Sequence, residues 1–363
     1  MEFLLGKTLS ELQEVALSLG LPKFAGKQLA EWLYVRCVSS FDQMTNISLK
    51  GREALKAAYA VGRHAPVREA VSVDGTRKYL FEVFQRSGLS VNEENGLSSL
   101  SERSERSYIE SVYIPEDDRA TLCVSTQAGC KMGCRFCMTG TLGFHGHLTA
   151  ADILNQVFEI DRRQTANDEQ ALTNLVLMGE GEPMDNLDHV LRALEIMTAD
   201  YGCAWSPKRI TVSTVGLPAM KRFLDESDCH LAVSMHNPFP QERALIMPAE
   251  KLFSITQVVD LLRQYDWSHQ RRISFEYICF RSNTSPRHAK EMLRLLKGLN
   301  CRINLIRFHE TDLNARIDKC DDETIAWFCE YLNDHGLTTT IRRSRGEDIL
   351  AACGMLVNAL NAG

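Results

Sequence analysis

The sequence predicts an α/β protein: a partial (β/α)6 TIM-like barrel preceded by a small N-terminal helical domain and a β-hairpin extension. Beyond residue 116, apolar strand-like runs alternate six times with helical segments, which is typical of parallel strands joined by right-handed crossovers. Residues 8–60 carry apolar side chains at three- and four-residue spacing, as helices do. Around Asp74-Gly75, alternating side chains indicate a hairpin.

Each strand of the predicted barrel is followed by one helix. The strands are expected at 121–125, 174–178, 209–214, 230–235, 272–280 and 302–308. The helices are expected at 149–162, 187–198, 217–225, 254–265, 286–299 and 322–335. In such barrels the reactive groups gather at the C-terminal ends of the strands. We therefore expect the functional residues at that end.

These patterns divide the chain into three parts. Residues 1–65 form an N-terminal helical accessory domain that either binds RNA or only packs as a cap, and we assign it to RNA binding. Residues 66–115 form the hairpin extension, in which the Ser-, Glu- and Arg-rich stretch 85–107 is predicted to be a flexible loop. Residues 116–363 form the barrel and a C-terminal segment.

Composition places the protein in a reducing compartment. The chain has 363 residues, of which 44% are hydrophobic and 24% charged, and no apolar run reaches the roughly 18 residues of a membrane span. The N-terminus lacks the pattern of a secretory signal, so we expect a cytoplasmic protein without a membrane partner. Twelve cysteines in such a chain argue against a disulfide scaffold. A net charge of −6 leaves any nucleic-acid binding to local basic patches.

Three cysteines within eight residues form the strongest motif. The stretch Cys130-Lys-Met-Gly-Cys134-Arg-Phe-Cys137 follows the first predicted barrel strand. A structural zinc site is normally closed by four ligands, and clusters used only for electron transfer usually take four cysteines. Three thiolates on one loop instead predict a [4Fe–4S] cluster with one iron open to a further ligand. Zinc binding, or three unrelated core thiols, is the alternative.

A three-cysteine loop after the first strand of such a barrel resembles the radical S-adenosylmethionine (SAM) enzymes. The resemblance implies that the amino and carboxylate groups of SAM bind the open iron and that cleavage of SAM gives a 5′-deoxyadenosyl radical. Gly179-Glu-Gly-Glu-Pro183, directly after the second predicted strand, is similar to the motif that holds the SAM amino group in this superfamily. Its glycines permit close backbone approach, and the carboxylate of Glu182 can accept a hydrogen bond.

Several further motifs resemble one family, the radical SAM adenine-C2 RNA methyltransferases (RlmN, related to Cfr). The resemblance covers nearly the whole chain, including the N-terminal helices. It is carried by Cys130–Cys137 together with Arg119-Ala-Thr-Leu-Cys123, Met138-Thr-Gly, Gly181-Glu-Pro, Ser234-Met-His236, Ile303-Asn-Leu-Ile306 and Arg345-Gly-Glu-Asp-Ile-Leu-Ala-Ala-Cys353-Gly.

The resemblance implies a mechanism that uses two SAM molecules per turnover and two cysteines outside the cluster. Cys353 takes a methyl group from the first SAM by displacement. The second SAM gives the radical, which removes a hydrogen from that methyl group, and the methylene radical adds to adenine C2. Cys123 then attacks the Cys353 sulfur and forms a transient disulfide. Glu110 corresponds to the family's proton acceptor, although strand alternation alone would face it to solvent.

The resemblance also implies a set of SAM contacts. They carry over to Gly181, Glu182, Ser213, Ser234, Met235, His236 and His309. Three positions depart from the family pattern: Glu180 replaces a common apolar residue, Met235 a frequent leucine, and His309 an asparagine that contacts SAM in many members. We expect Glu180 to add a carboxylate near SAM.

The implied partners are 23S rRNA, methylated in its peptidyl-transferase region, an anticodon-loop adenosine of tRNA, and an electron donor such as flavodoxin or ferredoxin. We expect a monomer. The candidate RNA contacts, expected to line the approach to the C-terminal mouth of the barrel, are the basic residues Lys208, Arg209, Arg271, Arg272, Arg342, Arg343 and Arg345.

Two alternatives stay open from the sequence. Cfr-like methylation of C8 of the same rRNA adenosine shares every cysteine named above. A non-catalytic RNA-binding protein with a cluster or zinc would explain the cysteine loop without SAM chemistry. A radical SAM activase or thiolation enzyme is disfavoured because the sequence contains no cysteine group for a second cluster.

Overall fold

The computed structural model describes seven stretches of the chain, namely residues 2–86, 104–141, 143–167, 169–267, 272–310, 318–352 and 354–356. Cys353, Arg271 and most of the predicted 85–107 loop lie outside them. The element order, with strands β1–β14 and helices α1–α10 numbered in chain order, is β1 Glu2–Phe3, α1 Leu9–Ser18, α2 Ala25–Ala30, α3 Leu49–Ala58, β2 Tyr59–Ala60, β3 Arg68–Val71, β4 Arg77–Arg86, β5 Ser104–Pro115, β6 Ala120–Cys123, β7 Gln127–Gly129, β8 Phe144–His147, α4 Ala150–Ala166, β9 Asn174–Leu177, α5 Leu187–Thr198, β10 Ile210–Thr214, α6 Met220–Glu226, β11 His230–Ser234, α7 Pro240–Ile246, α8 Ile255–Leu262, β12 Ile273–Cys279, α9 Pro286–Leu296, β13 Cys301–Arg307, α10 Asp322–Asp334 and β14 Thr339–Ile341.

The N-terminal residues form helices, as the periodicity predicts. Thr8 caps α1 in a reciprocal capping box with Glu11, which satisfies backbone N–H groups that the first turn leaves open. Helix α2 continues directly into a π-helical turn at Glu31–Val35. This part of the chain also contains one short parallel pair of strands, β1 and β2.

The rest of the molecule is built around one sheet of ten strands. Their order is β14-β13-β12-β11-β10-β9-β6-β5-β4-β3. Neighbours from β6 to β14 pair in parallel, while β3, β4, β5 and β6 pair antiparallel. All six predicted barrel strands and their helices are present, and β14 adds a seventh parallel strand. The sheet ends at β3 and β14, so over the described residues the barrel is partial, as predicted.

The hairpin extension is continuous with the barrel. Strand β4 pairs with β5 from Arg77–Tyr113 to Arg86–Ser104, so β5 links the hairpin to β6. The prediction of a loop over 85–107 is therefore wrong at both ends, because residues 85–86 and 104–107 belong to these strands.

The core lies between the sheet and the helices outside it. The largest apolar cluster joins strand residues such as Leu122 and Val212 to helix residues such as Leu154 and Val190, each 0% exposed. Burial of such side chains contributes about 1.5–3 kcal/mol each. The sheet is thereby held as a rigid frame for the loops at its C-terminal edge. No helix in the described part of the chain is long and apolar enough to cross a membrane.

Candidate active site

The cysteine loop lies between two short antiparallel strands, β7 and β8, which the sequence pattern did not predict. The loop is fastened by backbone hydrogen bonds: Cys130 N–H donates to Gly143 O at 2.9 Å, and Cys137 N–H to Cys134 O at 3.1 Å. Gly133 has a φ of +66°, a conformation that favours glycine and lets the chain turn between the first two cysteines. Local backbone bonding thus holds all three cysteines in one compact turn.

Most of the predicted cofactor residues line one cavity with these cysteines. We call it the cysteine cavity, and it has a volume of about 140 Å³. It lies at the C-terminal ends of β9, β10 and β11, as the barrel rule predicts. Its lining includes Cys130, Cys134, Cys137, Gly181, Glu182, Ser213, Ser234 and His236.

The turn after β9 is held tightly against the strand that leads to the cysteine loop. Gly181 has a φ of +99°, and a Cβ there would lie 2.5 Å from the Cβ of Gln127, so only glycine fits. The Glu182 carboxylate accepts hydrogen bonds from Met184 N–H at 3.0 Å and Val215 N–H at 2.8 Å. Burial raises the pKa of Glu182 to about 7. A cationic group in the cavity would favour the ionised form of this carboxylate.

His236, which lines the cavity, has one ring nitrogen already engaged in a hydrogen bond. Its Nδ1 accepts a hydrogen bond from Ile278 N–H at 3.0 Å, so the neutral ring carries its proton on Nε2. Burial lowers the pKa of His236 to about 3, which keeps the ring neutral at physiological pH. The ring also packs edge-to-face on Phe136, with centroids 4.7 Å apart. His236 can therefore donate one hydrogen bond to a bound ligand.

The donor set of the cysteine cavity fits a cluster with three protein ligands. Burial raises the pKa of Cys130 to about 12 and also raises the pKa values of Cys134 and Cys137, so these thiolates need a compensating cation. A coordinated metal supplies that charge. Within the described residues, no three His, Cys, Asp or Glu side chains form a site for a single metal ion. The three cysteines would hold the cluster, and the adjoining space would hold SAM.

Two predicted SAM contacts do not reach this cavity with their side chains. Met235 is 0% exposed and packs in the main apolar core, and its backbone carbonyl accepts from Arg243 Nε at 2.9 Å. His309 lines a different cavity, where its Nε2 lies 2.9 Å from Ser344 Oγ. The position of a residue near a strand end does not determine the direction of its side chain, which explains both differences.

Glu110 and Glu180 meet behind the cysteine loop. Glu110 is only 4% exposed and forms an ion pair of 3.0 Å with Lys78, so the expectation from alternation that it faces solvent is wrong. Glu180 accepts hydrogen bonds from the N–H groups of Glu110, at 2.9 Å, and Gly129, at 3.1 Å. Burial raises the pKa of Glu180 to about 8. Its carboxylate does not line the cysteine cavity, contrary to the expectation of an added charge near SAM.

A second, larger cavity of about 570 Å³ adjoins the first along the inner face of the sheet. The two cavities share the lining residues Met178, Glu276, Ile306 and Arg342. Cys123 lines the larger cavity and packs with Val112, Ala351 and Leu356. Cys353 itself lies outside the described residues, but Ala351 and Leu356 stand on either side of it in sequence.

Basic side chains dominate the larger cavity, which we call the basic cavity. Arg209 is not among the lining residues. Arg342, Arg343 and Arg345 follow β14 at the C-terminal end of the sheet, as expected, whereas Lys208 and Arg272 lie at the N-terminal ends of β10 and β12, contrary to the expectation. The lining Lys and Arg residues are Arg119, Lys208, Arg272, Arg302, Arg342, Arg343 and Arg345.

Two buried charges that the sequence reasoning missed support the cavities. Arg243, 0% exposed, pairs with Glu250 and donates to the carbonyls of Ser234 and Met235, so it fixes the end of β11. Breaking such a buried pair typically costs about 3–5 kcal/mol. Glu276 on β12 lies at the junction of the two cavities and accepts from Asn304 at 2.8 Å. A lone glutamate inside an otherwise apolar strand was the available sequence signal.

Comparison with known families agrees with this site. Residues 124–296, which include the cysteine loop and the turn after β9, match the model of the radical SAM superfamily. Residues 3–61 match the model described as the ribosomal RNA large subunit methyltransferase N-terminal domain. The fold and the site therefore define a radical SAM enzyme.

Full-length relatives give the family. A Phocaeicola vulgatus protein described as "Probable dual-specificity RNA methyltransferase RlmN" is 55% identical, over 98% of this chain and 95% of its own. A Desulfosudis oleivorans protein described as "Dual-specificity RNA methyltransferase RlmN" is 40% identical, over 92% and 84%. A crystal structure of a radical SAM methyltransferase from Sphaerobacter thermophilus superposes with a TM-score of 0.85 at 35% identity, covering 98% of this chain and 99% of that one. The chain belongs to the RlmN family of radical SAM RNA methyltransferases.

Proposed function

We propose that this enzyme methylates C2 of an adenosine in the peptidyl-transferase region of 23S rRNA and of an adenosine in the anticodon loop of tRNA. The dual specificity in the descriptions of its relatives supports two RNA substrates. The match of residues 3–61 to a ribosomal RNA methyltransferase domain supports a role of the N-terminal helices in RNA binding. On this proposal the protein works in the cytoplasm as a monomer, with flavodoxin or ferredoxin as the electron donor.

The placement of Cys123 is the observation that carries this proposal. Cys123 packs against Ala351 and Leu356, the near sequence neighbours of Cys353, at the edge of the basic cavity. A thiol in this position can react with a sulfur carried by the intervening segment. A methyltransferase that passed the methyl group directly from SAM to RNA would need no such cysteine beside the RNA path.

In this proposal Cys130, Cys134 and Cys137 hold one [4Fe–4S] cluster, and the remaining lining of the cysteine cavity holds SAM. When bound, the cluster and SAM supply the radical chemistry that an unreactive aromatic carbon requires. Glu182 and the backbone around Gly181 receive the amino group of SAM. The neutral His236 donates from Nε2, and Ser213 and Ser234 add hydroxyl groups at the neighbouring strand ends.

The remaining steps use residues of the basic cavity and of β5. The Cys353 thiolate accepts the methyl group from SAM and carries it to adenine C2. Glu110 accepts the C2 proton. On β5, Glu110 precedes Val112 by two residues, and strand alternation puts both on the face that Cys123 contacts. The Cys123 thiolate then attacks the Cys353 sulfur, and an S–S bond forms as the sulfur–carbon bond to the product breaks. The electron pair of the broken bond passes to the methylene carbon, which takes up a proton and becomes the methyl group of the product, and a reductant restores both thiols.

The basic cavity offers a path for the RNA. Seven Lys or Arg residues against two acidic residues, Glu116 and Glu276, give it a local positive charge in a chain whose net charge is −6. Such a patch attracts phosphates without coating the whole protein. Adenine C2 cannot be reached inside a stacked helix, so the target base must enter the cavity unstacked.

Product analysis tests the proposal. Anaerobically reconstituted enzyme is incubated with SAM, a reductant and transcribed 23S rRNA or tRNA, and the nucleosides are separated by mass spectrometry. We expect 5′-deoxyadenosine together with 2-methyladenosine from both RNAs. Methylation at C8 would assign the Cfr-like reaction instead, and methylation without 5′-deoxyadenosine would contradict the radical route.

Cysteine variants test the assigned roles in the same assay. Cys353→Ala is expected to abolish RNA methylation, and Cys123→Ala to stop release of the methylated base. Cys301→Ala is the matched control, because this thiol is half-buried at the start of β13 and lines neither cavity. Equal activity of Cys353→Ala and Cys301→Ala would refute the methyl-carrying role.

A further inference from the structure

The turn between β3 and β4 contacts the C-terminal segment Gly346–Ala352 although the two are far apart in sequence. The hydroxyl of Ser72 donates to Asp348 Oδ1 at 2.5 Å. The backbone N–H of Val73 donates to the other oxygen of the same carboxylate at 3.2 Å. Ser72 is 6% exposed, whereas Asp348 is exposed, so this hydrogen bond joins a buried side chain of the hairpin to the surface of the C-terminal segment.

A second attachment joins Asp74 to Gly346. Asp74 Oδ2 accepts from Gly346 N–H at 3.1 Å, while its Oδ1 accepts from Thr76 N–H at 2.9 Å. Gly346 has a φ of +63°, and a Cβ there would lie 2.8 Å from Ala351 Cβ and 2.9 Å from Thr76 Cγ2. The segment therefore turns back on itself in close contact with the hairpin. Partial burial alone would raise the pKa of Asp74, but the hydrogen bonds from Thr76 and Gly346 lower it to about 2.

A third attachment connects the same segment to the proposed proton acceptor. Lys78 on β4 donates to the carbonyl of Leu350 at 3.3 Å and forms the 3.0 Å ion pair with Glu110. Its side chain is only 14% exposed. One ammonium group thus touches both the segment that precedes Cys353 and the carboxylate assigned to the C2 proton.

The residues that follow Cys353 are bonded to the cysteine loop instead. Met138 N–H, next to Cys137, donates to Gly354 O at 2.8 Å. Thr139 Oγ1 donates to Leu356 O at 3.0 Å. The described residues before and after position 353 are therefore held by different parts of the molecule, the hairpin on one side and the cysteine loop on the other.

We propose that Ser72, Asp74 and Lys78 form a hairpin latch, a set of positioning residues that fixes segment Gly346–Ala352 for the methyl-transfer steps. This role rests on the function proposed for Cys353. The latch contacts neither the cluster cysteines nor the lining of the cysteine cavity, so its loss should leave cluster binding and SAM cleavage intact and should affect the transfer of the methyl group. The latch determines what fraction of the radicals leads to methylated RNA. Misplacement of a reacting group by about 1 Å can cost on the order of 100-fold in rate.

The test compares radical formation with methyl transfer in the full-length, cluster-containing enzyme. Asp74→Ala/Asp348→Ala removes two side chains that are both exposed, so the fold is expected to survive. Val73→Ala is the matched control, because Val73 is 96% exposed and contributes only its backbone N–H. The measurements are iron content, the melting temperature, the ratio of 5′-deoxyadenosine to 2-methyladenosine, and the rate of Cys353 alkylation by iodoacetamide.

We expect the double variant to retain iron and SAM cleavage while the ratio of 5′-deoxyadenosine to 2-methyladenosine rises about tenfold or more. The rate of Cys353 alkylation should also change in the double variant. Asp348→Asn keeps an oxygen that can accept a hydrogen bond from Ser72, so its ratio of 5′-deoxyadenosine to 2-methyladenosine should stay closer to that of the wild type. A purely structural role would lower the melting temperature without changing the ratio.

Two results overturn the latch, and they can be told apart. The latch alone is refuted if the wild-type enzyme methylates RNA and the double variant shows the same ratio of 5′-deoxyadenosine to 2-methyladenosine and the same rate of Cys353 alkylation as the wild type. A wild-type enzyme that transfers no methyl group to Cys353 refutes the proposed function, and the latch loses its role with it. The single variant Ser72→Ala gives the same comparison if the double variant does not fold.

Discussion

The two cavities of the barrel share four lining residues but differ in size and charge. The cysteine cavity, about 140 Å³, is lined by thiols, glycines, serines and a carboxylate whose pKa burial raises. The basic cavity, about 570 Å³, has seven Lys or Arg side chains in its lining. The first suits chemistry from which water is excluded, and the second suits a large polyanion. On the proposed function, the residues that they share lie between the site of radical formation and the RNA path.

The largest effect should come from the cysteine cavity. Cys134→Ala removes one of three cluster ligands, so we expect loss of iron, of 5′-deoxyadenosine production and of methylation to below detection. RNA binding, which depends on the other cavity, should stay within about twofold of the wild type because no basic residue changes. Iron analysis and a filter-binding assay measure the two effects. Parallel loss of RNA affinity would contradict the separation of the cavities.

Glu110→Gln should affect the step in which, on the proposed function, the C2 proton is lost. Removal of a proton acceptor typically costs about 10²–10⁴-fold in rate. We expect this loss in 2-methyladenosine formation, with 5′-deoxyadenosine production retained, as measured by single-turnover assays. Glu82→Gln, on the adjacent strand β4, is the control, because Glu82 pairs with the exposed Arg106, whereas Glu110 is buried and pairs with Lys78. Normal methylation by Glu110→Gln would remove Glu110 from the mechanism.

The pH dependence of SAM binding should report the cysteine cavity alone. Burial raises the pKa of Glu182 to about 7, so the ionised carboxylate, which we propose to bind the SAM amino group, becomes protonated as the pH falls below that value. SAM affinity should therefore fall by about tenfold from pH 8 to pH 6, with the carboxylate ionised at the higher pH. Glu182→Gln should bind more weakly and without this dependence. Calorimetry measures the SAM affinity at each pH. The RNA affinity at the same pH values provides the comparison.

The smallest effect is expected from single charges of the basic cavity. Lys208→Ala should weaken RNA binding by roughly threefold and reduce the slope of log K against log salt by about 0.7–0.9. Arg209→Ala is a close control, because Arg209 is adjacent in sequence but does not line the cavity. Neither change should alter SAM cleavage. Equal effects of the two substitutions would show that the cavity is not the RNA path.

The sequence was sufficient to predict the barrel, because the six barrel strands are apolar runs and the helices between them have strongly periodic apolar residues. It did not reveal β7, β8 and β14, which have three or four residues each and little apolar pattern, such as Gln127–Gly129. Tertiary pairing stabilises such strands, and no local property marks them. The cysteine loop was recognisable, but the hairpin that carries it was not.

The candidate site was predictable where a motif names both residue and spacing. The three cysteines and Gly181-Glu182 came together as expected. Met235 and His309 did not line the same cavity. A match to a family motif predicts which strand end a residue lies near, but it does not predict the direction of the side chain. The burial of Glu110 depends on Lys78 and Glu180, which are distant in sequence, so no local pattern could have indicated it.

The role of Cys123 gives the most direct test of the account. If Cys123 releases the product from Cys353, Cys123→Ala incubated with SAM, reductant and RNA should accumulate a covalent protein–RNA adduct. After digestion, mass spectrometry should place an adenosine on the peptide that contains Cys353, linked through one carbon. Free 2-methyladenosine at the wild-type rate, with no adduct, would contradict the account.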